Sequence, residues 1–283
     1  MSNIKLVALD LDGTLFNNNS KISSHNLETI RRITAGGIHV VISTGRPFMG
    51  LPFDQIKETG IRYAITTNGS AIYEIPTEKC LFENAMEEEL VSPIIQYLLT
   101  LDIHMDAFIG GKGYSPTQCI AAGEKLTVPS SLKKYITTTR IRLDNILKFI
   151  HDNQLKVQKM TLNFYPDENG IPTDRDKTEK FLKSIPEITT VCGGYGNLEF
   201  TRSDVSKGIA LYKLSDMLGI EHNATMAMGD TENDLAIIQA AGIGVAMGNA
   251  TNSVKEQADY ITLSNLEDGV AHALDVFIPA EAD

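Results

Sequence analysis

The sequence predicts an α/β protein with a Rossmann-like parallel-sheet core, into which a second α/β segment is inserted. Apolar runs at residues 4–9 and 39–43 flank a stretch with helical periodicity at 24–35. The same alternation returns near the carboxyl end, where three short apolar runs lie between residues 224 and 263. The middle of the chain does not continue this rhythm, so we expect it to be an insertion between two halves of one core.

The amino-terminal elements follow from simple patterns. Residues 4–9, IKLVAL, are apolar except for one lysine, which is typical of a strand buried on both faces. The segment 24–35 has apolar residues at helical spacing, and a serine stands where a helix cap is expected. A second buried strand is predicted at 39–43. Residues 63–74 contain Asn68-Gly69, a pair typical of a hairpin turn.

The carboxyl-terminal elements alternate in the same way. Strands are predicted at 224–228, 243–247 and 260–263. Helices are predicted at 207–218, 232–241, 252–257 and 266–277. This order of strands and helices favours right-handed parallel units.

The middle of the chain mixes two patterns. Helices are predicted at 87–101, 142–153 and 174–184, and residues 159–166 alternate like a half-exposed strand. We therefore assign residues 1–82 and 191–283 to the core domain and residues 83–190 to the inserted domain.

Composition and charge narrow the classes of function. The 283 residues carry a net charge of −11, which disfavours nucleic acid as a general partner because a phosphate backbone would be repelled. The charge still allows a small anionic substrate, provided that cations are placed locally. A monomer or a small homo-oligomer is expected.

Cysteine usage and hydropathy predict a cytoplasmic protein. Cys80, Cys119 and Cys192 are odd in number and widely spaced, which argues against a disulfide framework or a zinc site. Residues 235–254 carry no charge, but glycines interrupt them, so we expect no membrane span and no membrane partner.

Two carboxylates follow the first strand. In Asp10-Leu11-Asp12-Gly13-Thr14, the acidic residues stand where an open α/β sheet binds ligands, beyond the carboxyl end of a strand. Together they could hold a hard cation such as Mg²⁺ and divide the chemical work. Taken alone, the pair is equally compatible with an ordinary loop.

A hydroxyl-rich segment follows the second strand. In Ser43-Thr44-Gly45-Arg46, hydroxyl and backbone N–H groups could bind a phosphate at a helix start. Helix capping is a frequent role for serine and threonine. Taken alone, this segment is better explained by helix capping than by phosphate binding.

Two further clusters lie near the carboxyl end. Lys207 opens a predicted helix, where an ammonium group is better explained if it faces an anion. Asp230, Asn233 and Asp234 follow the strand at 224–228, and Asp230 could bind the cation that Asp10 binds. A solvated lysine and a set of helix-capping residues are the alternatives.

The four clusters together resemble the motifs of the haloacid dehalogenase superfamily. The matching sequences are DLDGT, STGRP, SKG and GDTENDL, and the resemblance covers residues 1–75 and 195–280. The insertion between the second and third motifs resembles the large α/β cap of the Cof-type phosphatases, especially the sugar-phosphate phosphatases. The resemblance implies a Mg²⁺-dependent phosphatase that acts on small phosphorylated metabolites.

The resemblance also implies a role for each residue. Asp10 would be the nucleophile that forms an aspartyl-phosphate, and Asp12 would be the general acid and base. The metal would be held by the Asp10 side chain, the Asp12 backbone carbonyl and Asp230, while Asp234 would hold a metal-bound water or orient Asp230. The phosphoryl oxygens would be bound by Ser43, Thr44, Gly45, Lys207 and Asn233. Arg46 would reach the substrate.

Two alternatives use the same residues. A phosphomutase would employ Asp10 and Asp12 but return the phosphate to a sugar. A phospho-accepting signalling receiver would use an aspartate, a hydroxyl residue and a lysine around Mg²⁺, without turnover. Such a receiver needs no insertion of about 110 residues and no acid two positions after the nucleophile, so Asp12 favours the phosphatase.

Overall fold

The structure is a computed structural model that describes residues 4–119, 125–194 and 196–280. These residues form two compact units. The first unit contains the residues up to Gly45, Leu51–Phe82, and the residues from Ser206 onward. The second unit contains Arg46–Gly50 and Glu83–Val205.

The described residues form fourteen strands and ten α-helices. The strands are β1 Leu6–Leu9, β2 His39–Ser43, β3 Tyr63–Thr66, β4 Ala71–Glu74, β5 Lys79–Glu83, β6 Ile103–Ile109, β7 Lys112–Pro116, β8 Ile141–Leu143, β9 Lys159–Phe164, β10 Ile188–Val191, β11 Leu198–Arg202, β12 Thr225–Gly229, β13 Ile243–Ala246 and β14 Tyr260–Ile261. The α-helices are Ser24–Ala35, Phe53–Ile56, Glu88–Leu98, Ser130–Thr139, Ile146–Asp152, Arg175–Lys183, Lys207–Leu218, Leu235–Ala240, Asn252–Lys255 and Gly269–Phe277. Single 3₁₀ turns lie at Phe48–Gly50, Thr67–Gly69, His222–Ala224 and Glu232–Asp234.

The first unit is built on a sheet with the strand order β14-β13-β12-β1-β2-β3-β4-β5. The six strands from β14 to β3 are parallel, and β4 turns back antiparallel to β3. In the register of the sheet, Leu9 of β1 pairs with both Met228 of β12 and Ile42 of β2. The residues that follow these three strands therefore meet at one edge of the sheet.

The core of the first unit explains why its strands are apolar. Leu6 and Ala8 of β1 pack with Val41 of β2 and with Leu211 and Leu214 of the helix Lys207–Leu218. Burying a leucine side chain of this kind stabilises the fold by about 1.5–3 kcal/mol relative to leaving it exposed. The helix that begins at Lys207 is thus held against the sheet by its apolar side.

The second unit has a sheet with the order β10-β11-β9-β6-β7-β8. One face of this sheet is apolar and packs against the helices Glu88–Leu98, Ile146–Asp152 and Arg175–Lys183. The opposite face carries buried polar residues. Asp106 is paired with Arg140 at 2.8 Å, and Lys159 is paired with Glu199 at 2.7 Å.

The predicted fold class, an α/β protein with a parallel-sheet core, is confirmed. The helix predicted at 24–35 has those bounds, and Ser23 caps it by accepting from the backbone N–H of Asn26. The hairpin around Asn68-Gly69 is also present, since β3 and β4 are antiparallel neighbours.

Three predicted helices begin three or four residues later than expected. The helix predicted at 266–277 begins at Gly269. The helix predicted at 142–153 begins at Ile146, because Ile141–Leu143 pairs with β7 and Asn145 caps the helix. The segment predicted as a helix at 232–241 opens as a 3₁₀ turn before the α-helix Leu235–Ala240.

The predicted domain division stays a prediction. The compact units differ from it in two segments, since residues 191–205 and Arg46–Gly50 both belong to the second unit. Residues 191–205 include β11, which pairs with β9 of the six-stranded sheet.

Candidate active site

The candidate site lies in the first unit, at the edge where β1, β2 and β12 end. Asp10 follows β1, Ser43 ends β2, and Asp230 follows β12. These strands are parallel neighbours, so their carboxyl ends open onto one crevice. The sheet topology therefore brings together three clusters that are far apart in the sequence.

Lys207 connects two of the carboxylates. Its Nζ donates to Asp10 Oδ1 at 2.7 Å and to Asp234 Oδ1 at 2.6 Å. The side chain is fully buried. Burial alone would lower the pKa of Lys207, but Asp10 and Asp234 outweigh that effect and raise its pKa above the ordinary value. Lys207 is therefore a fixed positive charge at the start of its helix.

Asp234 is held by protein groups on both oxygens. One oxygen accepts from Lys207, and Oδ2 accepts from the backbone N–H groups of Asp230 at 3.0 Å and Thr231 at 3.1 Å. The Thr231 hydroxyl caps the same turn, which gives a reciprocal capping box. This arrangement favours Asp234 as the residue that orients Asp230, one of the two roles implied by the sequence.

Asp230 lies against the loop that carries Asp10. Its Oδ1 accepts from the Thr14 hydroxyl at 3.1 Å. Gly13 has a φ of +89°, and a Cβ there would come within 2.2 Å of Asp230 Oδ2. Only glycine lets the loop approach the carboxylate this closely.

A divalent cation fits the chemistry of these carboxylates. One oxygen from each of Asp10, Asp230 and Asp234 lies within 4.8 Å of the others, and all three residues are buried. Burial and the neighbouring Asp234 raise the pKa of Asp10 well above its ordinary value, against the opposing pull of Lys207. The same two causes raise the pKa of Asp230 to about 7. Crowded carboxylate oxygens of this kind match the ligand preference of a hard cation.

Asp12 differs from the other acids in its exposure. The residue is exposed, whereas Asp10 is buried. Its side chain is not a member of the group formed by Asp10, Asp230 and Asp234. An exposed carboxyl two residues beyond a buried one is suited to exchange protons with solvent or with a leaving group.

The second sequence cluster is divided between the two units. Ser43 and Thr44 are buried in the first unit, and Ser43 Oγ has no hydrogen-bond partner within the part of the chain that the structure describes. Gly45 is half-buried and is the last residue of this segment of the first unit. Arg46 belongs to the second unit, where its guanidinium lies 4.4 Å from the centre of the Tyr135 ring.

Asn233 is fixed by contacts at both ends of its amide. The carbonyl oxygen accepts from the Thr231 hydroxyl at 2.8 Å, and Nδ2 donates to Asn68 Oδ1 at 3.4 Å. Asn68 belongs to the turn after β3 and was not among the predicted site residues.

Three more residues of the site were not predicted. Thr14 binds Asp230, although it stands inside the DLDGT motif itself. Asn249 Nδ2 donates to the carbonyl of Gly13 at 2.8 Å, and Asn265 Nδ2 donates to that of Phe16 at 2.7 Å. Asn249 follows β13 and Asn265 follows β14, so the rule that parallel strands end at one edge could have found both.

Comparisons with known proteins identify a family for this chain. A family model described as haloacid dehalogenase-like hydrolase matches residues 7–274. The chain is 34% identical to the 5-amino-6-(5-phospho-D-ribitylamino)uracil phosphatase YcsE of Bacillus subtilis, covering 96% of this chain and 94% of the relative. It is 30% identical to the phosphatase YwpJ of the same organism, covering 96% and 99%.

Solved structures show the same fold. A haloacid dehalogenase-like hydrolase from Bacillus subtilis superposes with a TM-score of 0.83 at 28% identity, covering 96% of this chain and 99% of that one. A second, from Bacteroides thetaiotaomicron, has a TM-score of 0.77 at 28% identity, covering 97% and 100%. Within the described residues, the helices are too short or too polar to cross a bilayer.

The resemblance that the motifs predicted, to the haloacid dehalogenase superfamily and its Cof-type branch, is confirmed, as is the prediction of an enzyme of the phosphoric monoester hydrolase class. The chain belongs to the haloacid dehalogenase-like hydrolases, and among them to the phosphatases.

Proposed function

We propose that this chain hydrolyses small phosphorylated metabolites, in particular sugar phosphates, through a phosphoenzyme formed on Asp10. The observation that carries the proposal is the buried Lys207 ammonium, which is bonded to both Asp10 and Asp234 beside the Asp230 carboxylate. A carboxylate and a phosphate repel each other, so positive charge must surround the nucleophile before it can attack. Lys207 supplies part of that charge within the chain itself.

The proposed reaction has two steps. An oxygen of Asp10 forms a bond to phosphorus while the ester P–O bond breaks, and Asp12 protonates the departing alcohol. Asp12 then removes a proton from water, the water oxygen bonds to phosphorus, and the Asp10–phosphorus bond breaks to release phosphate. Lys207 keeps Asp10 oriented through both steps.

A divalent cation fits between the carboxylates, and we propose Mg²⁺. The side chains of Asp10 and Asp230 and the backbone carbonyl of Asp12 would hold it, and Asp234 would orient Asp230. Bound there, the cation would supply the charge that allows an anionic carboxylate to approach an anionic phosphate.

The phosphoryl oxygens are assigned to groups at the end of β2, at the start of the helix Lys207–Leu218 and in the turn Glu232–Asp234. We propose that Ser43, Thr44 and Gly45 bind them together with Lys207 and Asn233. The buried Ser43 hydroxyl supports this assignment, because an oxygen of phosphate is the acceptor that it lacks in the described residues.

Substrate selectivity is assigned to the inserted segment. We propose that residues 83–190 form a cap domain that contacts the part of the substrate beyond the phosphate, and that Arg46 takes part in this contact. Sugar-like substrates are supported by YcsE, whose name describes a phosphatase of a phosphorylated ribityl compound. The free thiols of Cys80, Cys119 and Cys192 support a reducing compartment, and we propose the cytoplasm.

Replacement of the nucleophile tests the proposal. Asp10→Asn removes the attacking charge but keeps the shape, so phosphate release from a panel of metabolites with Mg²⁺ should fall to background. Asp216→Asn is the matched control, because Asp216 is exposed and lies near the far end of the helix that Lys207 begins. Wild-type phosphate release by Asp10→Asn would refute the proposed mechanism.

A further inference from the structure

The turn Thr67–Gly69 has an unusual backbone at the edge of the sheet where the site lies. It joins β3 to β4, and its first two residues are in the left-handed region, with φ of 50° for Thr67 and 58° for Asn68. Asparagine tolerates this region, but a β-branched residue such as threonine is rarely found there. Some interaction must therefore favour threonine at position 67.

The Thr67 hydroxyl is buried without satisfying its hydrogen-bonding capacity. Thr67 is fully buried, and its Oγ1 has no partner in residues 4–119, 125–194 and 196–280. Ser43 Oγ likewise has no hydrogen-bond partner in the described residues. Ser43 ends β2, the parallel neighbour of β3. Nearly all buried hydroxyls in proteins are hydrogen-bonded, so two unpartnered ones at adjacent strand ends indicate an acceptor from outside the chain.

The turn is packed among the residues assigned to phosphate binding. The Asn68 N–H donates to the Thr44 carbonyl at 3.2 Å, and Asn68 Oδ1 accepts from Asn233. Gly69 lies so close to the start of the Lys207 helix that a Cβ would be 2.2 Å from the Ser206 carbonyl oxygen and 2.9 Å from Lys207 N. The turn thus adjoins Thr44, Asn233 and Lys207 at once.

We propose that Thr67 is a further phosphate-binding residue, and that Asn68 is a positioning residue for Asn233. The Thr67 hydroxyl donates to an oxygen of the phosphoryl group, beside Ser43. Asn68 accepts one amide hydrogen of Asn233, while Thr231 donates to the Asn233 carbonyl, so the plane of that amide is fixed. This inference rests on the proposed function and adds a phosphate-binding residue to the proposed site.

Substitution of Thr67 tests the hydroxyl directly. Thr67→Val keeps the branched shape and removes the hydroxyl, and should lower kcat/KM by about 10- to 100-fold, as expected for a hydrogen bond to a charged group. The melting temperature should not fall, because the lost hydroxyl has no partner in the fold. Thr67→Ser should retain most of the activity. Orthophosphate binding with Mg²⁺, measured by calorimetry, should weaken in the valine variant and persist in the serine variant.

A valine variant with wild-type kcat/KM and wild-type affinity for orthophosphate would overturn the assignment of Thr67. If Thr67→Val does not fold, Thr67→Ala is judged by the same two measurements. Orthophosphate binding also separates this inference from the proposed function. If the wild type and Asp10→Asn release phosphate at equal rates, the proposed function fails, and the binding measurement still decides whether Thr67 contacts phosphate.

Asn68 is tested by a variant that keeps the backbone. Asn68→Gly accommodates the left-handed conformation but removes the amide, so the protein should remain as stable while kcat falls. Asn68→Asp restores an acceptor for Asn233 and should recover part of kcat. The matched control is Glu78→Gly, since Glu78 has a φ of 56° in an exposed turn before β5. Wild-type kcat in Asn68→Gly would show that Asn68 does not position Asn233.

Discussion

Lys207 determines the electrostatic balance of the site. Three ionised carboxylates, Asp10, Asp230 and Asp234, carry three negative charges, and the ammonium offsets one of them. Burial raises the pKa of Asp10 and that of Asp230, and the neighbouring Asp234 carboxylate raises both further. A divalent cation would balance the same charge without protonating either acid.

Substitution of Asp12 should lower the catalytic rate while leaving the stability of the fold almost unchanged. Asp12→Asn removes the proposed acid and base, and should lower kcat by about 10²- to 10⁴-fold, the usual share of acid–base catalysis. The residue is exposed, so the free energy of unfolding should change by less than about 0.5 kcal/mol. Steady-state kinetics and urea unfolding of the same preparation check both values. An unchanged kcat would remove Asp12 from the mechanism.

Site residues that belong to the four motifs were predictable, and residues outside these motifs were not. Asp10, Asp230 and Lys207 were predicted from the four clusters taken together and from the resemblance that they carry, and the structure places them together. Thr67 directly follows β3, but the sequence there indicates only a hairpin turn, and its buried environment depends on a left-handed backbone that a β-branched residue rarely adopts.

The loop after β1 is the element that brings the nucleophile to the metal ligands. Gly13 gives it a left-handed turn and room for Asp230, while Asn249 and Asn265 hold the carbonyls of Gly13 and Phe16. The loop is therefore fixed by a close packing contact on one side and by hydrogen bonds on the other.

Two glycine substitutions separate backbone strain from packing, one at Gly13 in this loop and one at Gly37, which lies between the helix Ser24–Ala35 and β2. Gly37 has a φ of +85° and open space around a built Cβ, so Gly37→Ala should cost only the left-handed penalty, about 1–2 kcal/mol. Gly13→Ala adds the clash with Asp230, and should cost roughly 1–3 kcal/mol more and abolish activity. Urea unfolding and phosphate release measure the two effects. Equal stability and equal activity of the two variants would show that Gly13 is not needed for the approach to Asp230.

Helices and strands were predictable where the hydrophobic periodicity of the sequence matches the set of residues that the fold buries. The helix Ser24–Ala35 combines a serine cap with apolar spacing, and both signals are local. The strand β6 was not predicted, although His104 and Asp106 alternate with apolar residues as in a half-exposed strand, and the pattern does not reveal that both polar residues are buried. Their burial depends on Arg140 and Asn163, which lie 34 and 59 positions away in the sequence, so no local pattern reveals it.

At the scale of the whole molecule, the two units bury charge for different purposes. The first unit concentrates carboxylates around one ammonium, an arrangement suited to binding a cation. The second unit pairs its buried charges, with Asp106 bonded to Arg140 at 2.8 Å and Lys159 to Glu199 at 2.7 Å. Breaking one partner of such a buried pair typically costs about 3–5 kcal/mol, so these pairs contribute to the stability of the second unit.

The buried polar face of the second unit predicts a dependence of stability on pH. Burial lowers the pKa of His104 below its ordinary value of 6.5. Burial alone would raise the pKa of Asp106, but Arg140 and His104 outweigh it and lower that pKa below 3.8. Both folded-state values are depressed, so the contribution of these two groups to stability is fully present above pH 6.5 and is lost as pH falls, first through His104 and below about pH 3.8 through Asp106 as well.

Urea unfolding at several pH values, followed by circular dichroism, measures this dependence. Asp10 and Asp230, whose pKa values are raised, stabilise the fold as the pH falls through the same range, so the contribution of His104 is read from the difference between the wild type and His104→Gln. As the pH is lowered from 6.5 to 4.5, the free energy of unfolding of the wild type should decrease relative to that of His104→Gln, which cannot be protonated at this position. A profile for His104→Gln that is identical to that of the wild type would exclude His104 as the source.

The central claim is that Asp10 becomes phosphorylated during turnover. The most direct measurement is an acid quench of the enzyme turning over a ³²P-labelled sugar phosphate with Mg²⁺, followed by mapping of the labelled peptide. The label should be found on the peptide that contains Asp10, and it should be absent when Mg²⁺ is chelated and in Asp10→Asn. A label on any other residue, or steady turnover by Asp10→Asn, would contradict the account.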